Sequence, residues 1–185
     1  MICLNKYKPL DEVYELIKNA NILLTKVWSS QIVFSWRWWL QLILTIIPWI
    51  IWIKYRDKRQ TVRLLFVGMI VAMTTNALDI IGGNFNLWHY DWKVFPFAPM
   101  YIPWDFTLFP IIVMVFLQIK PDVKPIYKSL IFAIYSSFLS EPLFQWMGLY
   151  HPIKWKHWYS FFIYILLYLF YNYIYNSRLF QSNEI

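Results

Sequence analysis

Glu141 stands directly before Pro142 inside an otherwise apolar run, FLSEPLFQWMGLY. Proline disfavours helix at the residue ahead of it and removes the hydrogen bond to the carbonyl of Phe138, so the pair predicts a kink and a bare carbonyl beside a carboxylate. Breaks of this kind in membrane helices recur where backbone lines a cavity or a ligand. Two more acids are expected in the same layer: Asp79, near the end of an apolar run and just ahead of IIGGN, and Asp105, in the first turn after YIPWDF. A carboxylate in hydrocarbon is costly unless it faces the bundle and is paired or protonated, which makes Glu141, Asp79 and Asp105 the candidate catalytic groups. Each also has a structural explanation. Glu141 would bond Gln145, Ser140 or a tyrosine at a proline kink, Asp79 would stay hydrated near the surface, and Asp105 would cap the helix that follows Pro103.

The three histidines, His89, His151 and His157, fall in the two loops beside these acids. Imidazoles with carboxylates suit zinc, iron or a proton relay. No HxxxH or HExxH pair exists, and His89 and His151 belong to separate loops, so no metal site and no cofactor is assigned. Headgroup binding or interfacial hydrogen bonding accounts for them as well, and His89, His151, Trp88, Tyr150 and Trp104 are candidate ligand-binding residues. Tyr164, Tyr168, Tyr171 and Tyr175 are spaced four, three and four apart and share one helical stripe. That stripe either packs on the preceding helix or lets Tyr164 and Tyr168 line a groove for an unsaturated ligand, where aromatic faces favour developing positive charge.

Apolar spans must position these groups. The chain has 185 residues, 59% of them hydrophobic, 22% aromatic and 15% charged, with a mean hydropathy of +0.42. That balance belongs to membrane proteins. About 20 apolar residues cross a bilayer as helix, and five such stretches follow one another: 38–53, 62–83, 104–119, 126–147 and 158–175. The expected fold class is therefore all-α, a polytopic bundle of about five transmembrane helices in the cell membrane, because lipid offers the backbone no hydrogen-bond partners. Residues 1–20 lack the pattern of a cleaved signal. Cys3 is the single cysteine, which rules out an internal disulfide or a thiolate metal cage. The net charge of +7 sits in short loops suited to lipid headgroups, and no nucleic-acid partner is expected.

Five basic residues in 54–63 and three in 120–128 mark those loops as cytoplasmic. The N-terminus is then outside, although residues 1–37 carry five more Lys/Arg. The segment 1–37 is expected to form either an amphipathic helix in the interface or a soluble cap, and 38–185 the bundle. Trp36, Trp38, Trp39, Trp88, Trp92, Trp104, Trp146, Trp155 and Trp158 gather at the outer boundary, and only Trp49 and Trp52 at the other.

Sliding the chain by 62 residues aligns Thr74, Thr75, Asp79, Leu87, Trp88 and His89 with Ser136, Ser137, Glu141, Leu149, Tyr150 and His151. Spans two and three thus form a parallel repeat with spans four and five. Beyond His89 the register needs a shift of one residue.

The stretches PWDF (103–106), EPLFQWMGLY (141–150) and WKHWYSFFIY (155–164) resemble the signatures of a family of small multi-pass membrane proteins of Gram-positive, often spore-forming bacteria that has no assigned activity. A looser similarity links residues 77–106 to the lycopene cyclase domain of carotenoid synthesis. It implies Asp79 in the place of the first acid, LWHY in that of the aromatic loop, and Pro103 with Asp105 in that of the acidic turn. Leu87 replaces a glycine and Phe106 the second acid of a pair. What the resemblance implies is a site near one bilayer face that binds an isoprenoid or lipid, with Glu141 or Asp79 protonating a double bond. A proton- or cation-linked transporter and a non-enzymatic membrane assembly protein are the alternatives.

Overall fold

A computed structural model describes residues 8–96 and 99–177, which form six helices and one short strand pair. Helix α1 covers 8–32, α-helical over Lys8–Val27 and π-helical over Trp28–Ile32. It is followed by α2 (Trp36–Tyr55), α3 (Lys58–Asn84), α4 (Pro103–Gln118), α5 (125–146) and α6 (His157–Tyr175). The limits of α2 to α6 fall within two residues of the five apolar stretches, except that α3 begins four residues earlier, at Lys58. Two of these helices, α2 and α3, are long and apolar enough to cross a membrane, and α4 is a shorter apolar helix.

Local chemistry sets the ends. Ser35 caps α2 by accepting the N–H of Trp38 at 3.2 Å, and Asp57 accepts that of Arg59 at 2.9 Å at the start of α3. The last turn of α3 closes through Asn86 at φ 52°, with the Leu87 N–H returning to the Gly82 carbonyl. The last turn of α5 closes in the same way through Gly148 at φ 70°, with Leu149 N–H returning to Phe144. Both equivalences keep the offset of 62 residues (148−86 and 144−82). The repeat is thus present in backbone geometry as well as in residue type.

The segments after these turns meet. Strand β1 (Trp88–His89) pairs antiparallel with β2 (His151–Pro152), placing His89 opposite His151. This ribbon closes over the ends of α3 and α5.

Burial is inverted relative to a soluble helix on α2, whose only buried residues are Gln41 and Trp52, while Ile43, Ile46, Ile47, Ile50 and Ile51 are exposed. Exposed apolar residues continue on α3 (Met69, Met73), α5 (Ile131, Phe138, Leu139) and α6 (Phe162, Leu166, Phe170). The interior holds Leu64, Val67 and Val71 of α3 against Val113, Met114 and Leu117 of α4, with Phe132 of α5 ringed by Phe109, Phe116, Tyr164 and Tyr168. The expected N-terminal segment is helical over 8–27 and largely exposed over 9–27. It is tied to the rest through Trp28, whose indole N–H donates to the Lys93 carbonyl at 3.0 Å.

Gly82 marks the closest approach of β1 to α3: a Cβ there would lie 2.2 Å from the Trp88 ring. That ring is held by its own hydrogen bond and by an edge contact with Trp155, so it cannot yield cheaply. At Gly68 the nearest atom is the flexible Met114 thioether, at 2.8 Å. Gly82→Ala is expected to destabilise by about 1–3 kcal/mol, and Gly68→Ala by clearly less. Thermal unfolding of the two variants in detergent micelles checks the order.

Candidate functional site

A cavity of about 70 Å³ lies beneath the ribbon, between α3, α4, α5 and α6. Counted with the open space around it, the unfilled volume comes to about 670 Å³. Asp79, Asp105 and Glu141 all line it, 4%, 0% and 7% exposed. Three acids from three helices therefore share one small chamber walled by Trp88, Tyr90, Tyr101, Trp104, Phe109, Phe144, Tyr150, Trp155 and Tyr164.

Asp79 Oδ1 accepts two hydrogen bonds at 3.0 Å, from the Trp88 indole and from the Tyr90 hydroxyl. Both donors come from the loop that follows its own helix. Tyr90 stacks flat on Tyr101 at 4.2 Å, which fixes the direction of its hydroxyl. Burial pushes the Tyr90 phenol well above its ordinary range and the neighbouring acids push it further, so it stays a donor at any ordinary pH.

Asp105 lies in a π-helical turn, Pro103–Leu108. Its Oδ2 accepts the N–H of Tyr101, a residue ahead of the helix, at 3.0 Å, so the acid reaches back to the incoming chain and does not cap the first amides of α4. Thr75 of α3 donates to the Asp105 carbonyl at 3.2 Å. Asp79 and Asp105 line the same cavity and act on each other electrostatically. Asp79 Oδ2 and Asp105 Oδ1 are buried and receive no hydrogen bond from the described residues.

Glu141 follows a second π-helical turn, Tyr135–Ser140. The break expected at Pro142 takes this form: one residue is inserted into the turn, and the Glu141 N–H reaches back five positions to Ser136. Both Glu141 oxygens are partnered. His157 Nδ1 lies 2.7 Å from Oε2 and the Tyr164 hydroxyl donates to Oε1 at 2.7 Å. The far nitrogen of His157 contacts Gln145 at 3.0 Å, so Gln145 acts through the imidazole and not directly on the acid.

Lys93, in the loop after β1 and 8% exposed, is the nearest cation. Burial pushes its ammonium down, while Asp79, Asp105 and Asp91 push it back up.

Of the residues singled out in the sequence, Glu141, Asp79, Asp105, Trp88, Tyr150, Trp104 and Tyr164 line the cavity. Three do not. His89 and His151 point outward and stack on each other at 4.8 Å on the solvent side of the ribbon. Tyr168 is fully buried one turn deeper, and its hydroxyl has no partner among the described residues. Sequence reasoning passed over His157 as a site residue, along with Tyr90, Tyr101, Trp155 and Ser160. His157 and Ser160 extend the tyrosine stripe of α6 upward (157, 160, 164, 168), which was a signal available in the spacing. Nothing in local sequence ties Tyr90 to Asp79, since the loop has to fold back first.

No protein-family model matches this chain, and neither a curated protein nor a solved structure does.

Two tyrosines of one stripe should respond oppositely to loss of the hydroxyl. Tyr164→Phe takes a donor from a buried carboxylate and is expected to cost about 1.5–3 kcal/mol, whereas Tyr168→Phe removes an unpaired hydroxyl and is neutral or stabilising. Unfolding midpoints of both variants measure this, and a double-mutant cycle of Tyr164→Phe with Glu141→Gln should show coupling.

Proposed function

We propose that this chain is a multi-pass membrane protein whose buried carboxyl site binds the unsaturated end of an isoprenoid lipid and acts on it as a general acid. The observation that carries the reading is the pair Asp79 and Asp105, each with one orphaned oxygen, in an aromatic chamber. Two like charges side by side and out of water are unfavourable, and a single proton held between them gives both orphaned oxygens a partner. The pair is then an acid with a proton to give. Glu141, fixed by His157 and Tyr164, is the carboxylate that faces it across the cavity.

Chemistry follows from that division. The proton of the pair passes to one carbon of a terminal double bond, whose π electrons form the new C–H bond and leave a cation on the other carbon. Tyr90, Tyr101, Trp88 and Trp104 offer ring faces to that charge. A second double bond of the same chain closes on the cation, and a neighbouring carbon returns a proton to a carboxylate. Substrate and product are isomers, so no oxidant and no other reactant is required. The similarity of residues 77–106 to the lycopene cyclase domain supports the same chemistry with a single acid, Asp105, where that domain has a pair. A volume of about 70 Å³, roughly that of two waters, admits only the tip of a chain. The remainder of the chain would lie in the open space around the cavity and in lipid.

Membrane placement rests on the inverted burial of α2 and on the apolar exposed faces of α3, α5 and α6. Single cysteines introduced at 54–63 or 120–128 in a Cys3→Ser background are expected to resist a membrane-impermeant maleimide in intact cells, and those at Asp91 or Lys154 to react. The reverse pattern inverts the topology, and uniform labelling of all four removes the membrane reading.

Proton or cation transport is favoured by a different observation. The α6 stripe carries hydroxyls from Tyr164 at Glu141 down to Tyr175, which donates to Gln60, itself bonded to Asp57 at 2.8 Å. Neutral lipids extracted from purified wild type, Asp105→Asn and Glu141→Gln, identified by mass spectrometry, separate the two readings. An isoprenoid enriched in wild type is expected. In vesicles supplied with an acyclic polyene, an isomer of equal mass should form, and Asp105→Asn should slow it by about 10²–10⁴-fold. Bulk phospholipid alone, with no isomer, defeats the enzyme reading; proton flux dependent on Tyr168 in proteoliposomes would establish the other.

A further inference from the structure

His89, Asp91 and His151 form a cluster outside the cavity, on the exposed side of the ribbon. The ladder puts His89 directly opposite His151, with the two rings nearly parallel at 13° and 4.8 Å apart. Asp91 follows two residues after His89 and its Oδ1 lies 2.9 Å from His89 Nε2. One ligand atom from each residue lies within 4.8 Å of the other two. The sequence hides this set, because its members come from loops 62 residues apart and match no helical histidine motif.

We propose that His89, His151 and Asp91 bind a zinc ion that clamps the two loops together over the carboxyl cavity. Two imidazole nitrogens and one carboxylate oxygen are the ligand set of an open zinc site, with a water in the fourth position. Zinc–ligand bonds of about 2.0–2.2 Å in a tetrahedron place ligand atoms about 3.3 Å apart. The separations present exceed this by no more than about 1.5 Å, the difference between 4.8 Å and that tetrahedral spacing. All three side chains are exposed, so rotation about their χ angles closes it without moving the backbone. Harder ions such as magnesium or calcium prefer all-oxygen sets and fit poorly.

The location gives the ion a consequence. Trp88 and Tyr150 immediately precede His89 and His151, and both line the cavity. Each strand has only two residues, and two-stranded pairs are marginal on their own even when longer. A bond through zinc joins the loop after α3 to the loop after α5 at the point where their pairing is shortest. Zinc on the outer side would therefore hold closed the roof under which Asp79 meets Trp88. This holds whether the cavity serves catalysis or transport.

The test uses full-length, tag-free protein in detergent micelles, stripped with a chelator. Calorimetric titration with zinc chloride is expected to show one ion per chain with a dissociation constant in the micromolar range or tighter, and cobalt(II) should give visible ligand-field bands. His151→Ala and His89→Ala should each weaken zinc by more than about a hundredfold, beyond what outer-shell changes bring. Asp91→Asn should weaken it less. Because the three residues are exposed, the metal-free variants should unfold at the wild-type temperature, and the two histidine variants should gain no thermal stability at zinc concentrations that stabilise wild type. Absence of stoichiometric binding, or binding that His151→Ala leaves unchanged, overturns the proposal.

Discussion

Three carboxyl groups removed from water need hydrogen-bond donors, and that demand organises the half of the molecule beneath the β-ribbon. Leaving such a group unpartnered costs about as much as a typical point mutation can, so each loop and helix end near the site is recruited to supply an N–H or O–H. For Asp79 the donors are Trp88 and Tyr90, which reach it only because α3 ends sharply at Asn86 and the chain turns back over its own helix. For Glu141 they are His157 and Tyr164, which lie on the next helix. Asp105 draws on the backbone of Tyr101. The β-ribbon, the stacked Tyr90 and Tyr101 rings and the upper turn of α6 are all parts of these supply lines.

The two π-helical turns belong to the same economy of hydrogen bonds. A π-helical turn adds a residue and breaks the regular ladder, which is unfavourable unless the carbonyls it loosens find other donors. In α4 the Asp105 carbonyl receives the Thr75 hydroxyl from α3. In α5 the turn ends where Pro142 has no N–H to give, so the proline takes the place where the ladder is already interrupted. One turn holds Asp105 and the other immediately precedes Glu141, and both acids line the cavity. The two π-helical turns thus serve acids that line one cavity, while the partners differ: a backbone N–H for Asp105, an imidazole and a phenol for Glu141.

Helix limits were legible to within two residues, apart from the start of α3, because an apolar run bounded by charge or proline leaves few places for a helix to stop. Asn86 and Gly148 were legible in position, through the 62-residue offset, though not in role: both sit at positive φ, a conformation that asparagine and glycine adopt at least cost. The three acids could be placed in one layer from sequence alone because each lies near the end of its run. Their partners could not be placed. Tyr90 is eleven residues from Asp79 and His157 sixteen from Glu141, and those separations carry no periodic signal across a loop. Histidine density misled in one respect, since it drew attention to His89 and His151, which face outward, and away from His157, which touches the acid.

Below Tyr164 aromatic rings dominate the interior, with the buried hydroxyls of Tyr168, Tyr171 and Ser129 set among them. Phe109, Phe116 and Phe132 pack edge-on against one another and against Tyr164 and Tyr168, and the Tyr168 hydroxyl is left without a partner among these rings. A path that carried charge inward would have to pass between these rings, where an ion gives up most of its hydration. A site that protonates an alkene gains from the same rings, because water reaching a carbocation would capture it before ring closure. The aromatic seal beneath the carboxyls therefore weighs toward chemistry in a blind chamber, and the hydroxyl stripe of α6 is accounted for as the polar edges of rings whose flat faces build the seal.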